Sequence, residues 1–267
     1  MRRTKPTRVH RRNLLTCSAE TFRAPLFKRS DTWPRKFESI ARRFFDLQAG
    51  SIWRDVKPEL RQACGVVLDV GCGAQVYRDL LTSAAAYRGI DTHEAKARFG
   101  YDSPDTEYFD GDEWPVTDGS VDFVLCTEVL EHVPDPLPLL GRIQKGLRPG
   151  GRLLLTVPFT ARWHFIPHDY WRFTPSGLGR LLGLAGFTDV EVRARGNPLT
   201  VACYKAMALP LMLLFGEGPA RASRLLRPLM GVLLSPFLVL AACVGNCSMT
   251  ADWGEDCLGY TVTARRP

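Results

Sequence analysis

Val67-Leu68-Asp69-Val70-Gly71-Cys72-Gly73 is the stretch that decides the architecture. An apolar strand carries an acid near its end, and two glycines stand at the turn that follows. A side chain at either glycine would keep the backbone from turning tightly and from approaching a bound ligand. Twenty residues after Gly71, the run Tyr87-Arg88-Gly89-Ile90-Asp91 ends the next strand in a second acid, placed to take hydrogen bonds from ribose hydroxyls. The pair points to a nucleotide-like cofactor. A pyrophosphate fingerprint would put a third glycine where Val76 stands, and Asp69 beside the turn would repel a pyrophosphate but suit a cationic amino group.

Outward from that turn, short β-type runs alternate with helical stretches: Val66–Val70, then Val76–Ala84; Tyr87–Asp91; Glu107–Phe109; Val121–Thr127, then Leu137–Leu147; Arg152–Val157, then Gly177–Ala185; Val190–Arg195; and a last strand over Leu258–Arg265. Such alternation predicts an α/β fold with a mostly parallel sheet covered by helices on both faces, and ligands at the carboxyl ends of its strands. Before it, apolar residues at helical spacing from Phe37 to about Gln62 predict one bent helix or two, with the pattern resuming after Gly50.

Taken together these residues resemble the class I S-adenosylmethionine-dependent methyltransferases, in particular their type 11 group. The resemblance extends to Tyr108-Phe109-Asp110-Gly111, to Trp114-Pro115-Val116 with Asp118-Gly119-Ser120-Val121-Asp122, to Cys126-Thr127-Glu128-Val129-Leu130-Glu131-His132-Val133, and to Leu147-Arg148-Pro149-Gly150-Gly151. It covers roughly Val66 to Val190 plus the final strand, and departs from the group at Gln75, where many members have glycine. It implies a Rossmann-like, seven-stranded sheet. It also implies S-adenosylmethionine as cofactor, held by Asp69, Gly71, Cys72, Gly73, Asp91, Asp110, Gly111 and Glu128.

Glu128, Glu131 and His132 stand at i, i+3 and i+4, so on a helix they would share one face. Two carboxylates and an imidazole can hold a divalent metal, which would acidify an acceptor hydroxyl. A similar Glu-x-x-Glu-His arrangement occurs in small-RNA 2′-O-methyltransferases and in quinone-biosynthesis O-methyltransferases, where it is associated with metal. The simpler reading, in which Glu128 and His132 line the cofactor pocket and no metal is used, is preferred on spacing alone. After the fifth strand, Trp163-His164-Phe165-Ile166-Pro167-His168-Asp169-Tyr170-Trp171-Arg172-Phe173-Thr174-Pro175 is too rich in aromatics and histidines for a casual connector. His168 is the leading general base or a further metal ligand, with His132 and Glu128 as the other catalytic candidates, and Thr174 reads as the cap of the helix opening at Pro175. His93 reads as rim. Methyl transfer from a sulfonium asks mainly for in-line positioning and proton removal, so no dedicated nucleophile is expected.

The chain has 267 residues and a formal charge of +7, yet residues 1–30 hold nine basic groups against Glu20, so the remainder is close to neutral. The basicity belongs to an N-terminal arm, expected to be disordered and suited to an anionic surface; a nucleic-acid-binding body is not indicated. No apolar run follows the basic start as a secretory signal would require. Eight cysteines without a Cys-x-x-Cys pair read as reduced thiols in a cytoplasmic protein. The predicted organisation is the arm at 1–30, a helical segment at 31–64, the cofactor-binding core at 65–197, an apolar helical insertion at 198–256 and the final strand at 257–267.

In the insertion, Leu199–Phe215 is apolar apart from Lys205, and Pro228–Ala251 holds no charge over 24 residues. If the strands on either side are neighbours in one sheet, the segment crosses a membrane an even number of times or not at all. The preferred reading is a helical hairpin dipping into the inner face of a membrane, with Arg221, Arg224 and Arg227 toward anionic headgroups; a soluble cap or a dimer interface stays open. The expected activity is O-methylation of a lipid-linked or apolar acceptor. RNA 2′-O-methylation and a non-catalytic scaffold are the alternatives.

Overall fold

The computed structural model describes residues 32–103, 105–110, 113–215 and 223–267. The basic arm, Gly111 and Arg221 lie outside the described residues, as does the side chain of Arg224. Strands β1 (Gly65–Val70), β2 (Ala85–Thr92), β3 (Thr106–Phe109), β4 (Val121–Thr127), β5 (Leu147–Pro158), β6 (Thr188–Arg195) and β7 (Gly259–Arg265) form one sheet in the order β3-β2-β1-β4-β5-β7-β6. The first five run parallel, and β7 runs antiparallel to both neighbours. The strand order reverses between β1 and β4, which opens a crevice at their carboxyl ends.

Alternation along the strands builds two apolar layers, because successive side chains point to opposite faces. Val67, Phe123, Leu125 and Leu154 pack against Ile52, Val56 and Leu60 of helix α2 (Leu47–Gln62). Leu68, Val124, Leu153 and Leu155 face the other way, toward α4 (Pro136–Gly146) and α5 (Pro175–Leu184). Thr174 caps α5 by accepting from the Gly177 amide at 3.2 Å, with Pro175 in the first turn. Of the two readings of this segment, the structure has two helices, and the break falls at Asp46, not at Gly50. Helix α1 (Trp33–Phe45) ends at Asp46, whose extended backbone and side-chain bond to the Ala49 amide start α2. Gly50 lies inside α2, where a Cβ would meet the Arg43 carbonyl oxygen at 2.5 Å.

Three sequence-based expectations are corrected. The helix expected over Val76–Ala84 is only a 3₁₀ turn, Arg78–Leu80. Gln75 adopts φ +53 and bonds its buried side chain to Thr106, while Arg78 pairs with Asp105, so the chain is tied down as a loop before a helix can start. Glu128 likewise has positive φ and is followed by a 3₁₀ turn at Leu130–His132, so Glu128, Glu131 and His132 do not share a helical face. The Leu147–Gly151 turn belongs to β5, as a bulge before Arg152 comes opposite Phe123.

The remaining helix of the sheet, α3 (His93–Phe99), follows β2, and the insertion forms α6 (Pro198–Phe215), α7 (Ser223–Leu233) and α8 (Ser235–Ser248). Its ends are stitched together. The Asn197 amide nitrogen donates to the carbonyls of Ser248 and Ala251, and its oxygen accepts from the Leu199 and Thr200 amides. Because β6 and β7 are neighbours, the insertion leaves and rejoins the same end of the sheet. Met207, Leu238 and Ala242 form its own core with Leu47 of α2.

Candidate active site

A cavity of about 630 Å³ opens at the carboxyl ends of β1, β2, β4 and β5. Its floor is the glycine turn. Gly71 has φ +69, and a Cβ there would meet Val129 at 2.4 Å; Gly73 has φ +47 and lies against the Tyr101 ring. Asp91 accepts from the Gly73 amide at 3.1 Å and from its neighbour Thr92, which holds the turn and the end of β2 together. Phe109 and Trp114 make an aromatic wall, edge to face at 5.7 Å, and the buried Trp114 Nε1 has no hydrogen-bond partner. A bare glycine floor, an acid at a strand end and an unpaired indole donor are what a nucleoside-bearing cofactor would meet.

Of the residues expected at the cofactor, Gly71, Cys72, Gly73, Asp91 and Glu128 line the cavity. Asp69 does not reach it: the carboxylate is buried beneath the turn and accepts from the Tyr87 hydroxyl at 2.9 Å. Burial, with Asp91 adding to it against the Tyr87 bond, raises its pKa to about 7. Asp110 is largely exposed and faces His93 at 3.3 Å, outside the cavity wall. Cys72 is a buried thiol whose pKa burial pushes up to about 12, so it packs and does not react. The other described cysteines are free thiols too.

Glu128 is tied by three bonds. Its Oε1 accepts from Thr156 Oγ1 at 3.0 Å and from the guanidinium of Arg195 at 2.8 Å, and its amide donates to the Thr156 carbonyl at 3.0 Å. Arg195 is fully buried and also donates to Ser51 Oγ and the Val157 carbonyl. Those bonds hold the Glu128 carboxylate in place as a hydrogen-bond acceptor. Arg195 ends β6 on the solvent-to-core alternation of an edge strand, and only the fold shows that it crosses beneath β7 to reach Glu128.

The connector after β5 brings His164 and His168 to the cavity, where His132, from the 3₁₀ turn after β4, joins them. Asp169 organises that connector. Its carboxylate takes two bonds from Arg172, at 2.6 and 2.7 Å, and faces His164 Nδ1 at 3.0 Å. Burial works against this charge, and the bonds from Arg172 and His164 outweigh it and hold the pKa well below the carboxylate range. Trp171 donates to the Val133 carbonyl, Tyr170 donates its amide to Glu131, and Phe173 enters the main core. His168 is half-exposed, with Nδ1 3.2 Å from the Tyr170 hydroxyl.

His132 Nδ1 faces the His168 carbonyl at 2.7 Å, an acceptor, so Nδ1 carries the proton, and Nε2 lies 3.7 Å from Glu131 Oε1. Burial lowers its pKa to about 4, so it is neutral at pH 7. By the same logic His164 Nδ1, set between the Arg162 carbonyl and Asp169, leaves its own Nε2 free. Glu131 is fully buried, neither carboxylate oxygen has a hydrogen-bond partner, and burial, with Glu128 adding to it, raises its pKa. Donor atoms from Glu131, His132 and His164 lie within 4.8 Å of one another. This set replaces the Glu128–Glu131–His132 trio expected from spacing, because Glu128 turns to Arg195 and the connector supplies His164.

Beyond the histidines the cavity is walled by Ile52, Tyr77 and Tyr204, with Arg42 and Arg162 at its edge. It thus joins a glycine floor to an apolar outer chamber between α2 and α6.

A family model described as a methyltransferase domain matches residues 37–192. The chain is 31% identical over 165 residues to a ubiquinone biosynthesis O-methyltransferase of Cupriavidus pinatubonensis, a match taking in 50% of this chain and 65% of that protein. A protein of the same name from Thiobacillus denitrificans is 30% identical over 175 residues, covering 55% and 75%. Among solved structures, a SAM-dependent methyltransferase from Archaeoglobus fulgidus shares the fold, with a TM-score of 0.51 at 18% identity over 88% of this chain and all of that one. With the sheet order and glycine turn already in place, the chain belongs to the class I S-adenosylmethionine-dependent methyltransferases of the type 11 group.

Proposed function

We propose that this chain methylates a hydroxyl oxygen of an apolar, lipid-linked acceptor while seated on the inner face of a membrane. The observation that carries the reading is one cavity whose lining joins the glycine floor, three histidines and Ile52, Tyr77 and Tyr204. The names of the relatives support an oxygen acceptor on a prenylated ring. S-adenosylmethionine supplies an activated sulfonium methyl when bound. Gly71, Cys72 and Gly73 would lie along its backbone, Asp91 would take its ribose hydroxyls, and Phe109 and Trp114 would hold its base. Glu128, fixed by Arg195, offers a carboxylate to its cationic end, with Asp69 supporting the turn from below through Tyr87. His168 is the base that takes the acceptor proton as the oxygen–methyl bond forms, and the Asp169–Arg172 pair holds its connector in place.

Glu131, His132 and His164 fit a divalent cation. The support is the buried carboxylate without a hydrogen-bond partner, two imidazoles whose Nδ1 atoms face oxygens, and donor atoms of all three residues within 4.8 Å of one another. Such an ion would acidify the acceptor hydroxyl. Manganese titration of the parent and of Glu131→Gln, read by electron paramagnetic resonance, checks this: one tightly bound ion in the parent and none in the variant is expected.

The test of the main reading is transfer of labelled methyl to a polyprenylated phenol in micelles. A methyl ether formed by the parent and reduced at least ~100-fold in His168→Ala is expected. Transfer to a nitrogen or carbon acceptor in preference would refute it.

The insertion supplies the membrane contact. By length and composition α6 could cross a bilayer, and Leu226–Leu233 with Ser235–Ser248 forms a pair bent by 49°. Paired neighbours β6 and β7 favour seating in the interface over a single crossing.

A further inference from the structure

Helix α1 has no buried residue, although it carries an apolar stripe. Trp33, Phe37, Ile40 and Phe44 stand at i, i+4, i+7 and i+11, on one face. The stripe starts inside the protein: Phe44 packs on the insertion core, and its carbonyl accepts from Asn246 of α8 at 2.9 Å. It then runs outward along Ile40, Phe37 and Trp33, which are 56%, 70% and 84% exposed. Helix α8 presents Phe237, Leu240 and Val244, at i, i+3 and i+7, also to solvent. Two neighbouring helices, one from each end of the chain, therefore carry uncovered apolar stripes.

The segment leading into this face is strongly basic, although Asp31 and the exposed Glu38 offset Arg35 and Lys36 locally. Arg35 and Lys36 are exposed in the first turn of α1, and the 30 residues leading toward that turn hold nine basic groups against Glu20. An apolar helix entered by a strongly cationic segment matches a bilayer with anionic headgroups, where each basic residue near the surface adds attraction and the apolar side chains enter the acyl boundary. A second copy of the chain would bring the same cations against each other.

We propose that α1 and the basic segment leading into it form a second membrane anchor beside α8, so that binding takes two signals, one apolar and one electrostatic. This rests on the membrane reading of the insertion given above and extends it to the opposite end of the chain. It also accounts for how an apolar acceptor reaches the chamber. Arg42 of α1, Ile52 of α2 and Tyr204 of α6 wall the cavity, so the helices seated on the bilayer also frame the route to the site.

Co-sedimentation of the full chain with phosphatidylcholine vesicles, with and without phosphatidylglycerol, tests the proposal. The variants are Trp33→Ser/Phe37→Ser/Ile40→Ser on α1, Phe237→Ser/Leu240→Ser on α8, and Gln at Arg2, Arg3, Lys5, Arg8, Arg11 and Arg12. All replaced side chains on the two helices are exposed, and S-adenosylmethionine affinity serves as the check on folding. The expected result is that the α1 variant loses partitioning by roughly tenfold or more, and that the Gln variant loses the preference for phosphatidylglycerol. If the α1 variant binds like the parent while the α8 variant detaches, the second anchor is refuted and the insertion reading stands. If the parent binds neither vesicle, both fall. A parent dimer that the α1 variant abolishes, without vesicle binding, would assign the stripe to a second copy and overturn the proposal.

Discussion

Strands β1, β4 and β5 and helices α6–α8 are both rich in apolar residues, yet they dispose them differently. In the sheet, Leu68, Val124, Leu153, Leu154 and Leu155 are all buried, because helices cover both faces. In α6, Met207 is 1% exposed while Leu209, two residues on, is 59% exposed, and α7 exposes Leu226, Leu229, Met230 and Leu233. The sheet is finished as a soluble object. The insertion satisfies a small core against Leu47 and leaves apolar surface over, which is the arrangement of a part with a further contact to make. On the reading proposed above, one half holds the chemistry fixed and the other would bring the site to an apolar acceptor.

Changes that should separate the halves most sharply lie at the glycine floor. Gly71→Val would drive a side chain into Val129 from a left-handed backbone, and S-adenosylmethionine affinity should fall by at least ~100-fold in calorimetry. Leu240→Ser on α8 should leave that affinity unchanged. Next in size is Arg195→Met, which removes the buried cation joining Glu128, Ser51 and Val157. We expect a loss of about 3–5 kcal/mol in urea unfolding, together with weaker cofactor binding.

Within α6 the comparison can be run on one helix. Met207→Ala should cost about 2–4 kcal/mol because it opens a cavity in the insertion core. Leu209→Ala should stay within about 0.5 kcal/mol, since nothing packs on it that water does not already reach. Equal costs at the two positions would mean that Leu209 is covered in solution, and would remove the contrast between insertion and sheet.

The smallest effect is one of pH. Asp69 has an ordinary pKa of 3.8 that burial raises to about 7 in the fold. Below about pH 4 the folded and unfolded chains both carry the proton. As pH rises toward 7 the unfolded chain ionises first, so this residue's contribution to stability declines over that window. Asp69→Asn cannot ionise, and its melting temperature relative to the parent should rise from pH 4.5 to pH 7.5. A constant difference would contradict a protonated Asp69.

The sheet was legible because its signals are local. Val121–Thr127 is a strand over the residues its pattern marks, and the glycine turn and Asp91 sit at strand ends as their spacing requires. The helix expected after the turn failed because Gln75 finds a buried partner in Thr106, 31 residues away, which no local pattern reports. The histidine cluster was half legible. His132 and the aromatic connector stood out, but the exchange of Glu128 for His164 depends on a buried arginine from β6 and on the Asp169–Arg172 clamp. The inside and outside of α6 and α8 were not legible, since both helices are apolar on every side and periodicity carries no information there.

On the proposed reading the strand ends and the loops that follow them make the cofactor site, while the insertion and α1 seat the protein on a membrane. Calorimetric titration of the full chain with S-adenosylmethionine, with and without anionic vesicles and again with Asp91→Ala, tests it most directly. The account predicts micromolar binding that vesicles do not alter and that the variant loses. Absence of binding in the parent, or binding that survives in Asp91→Ala, would contradict it.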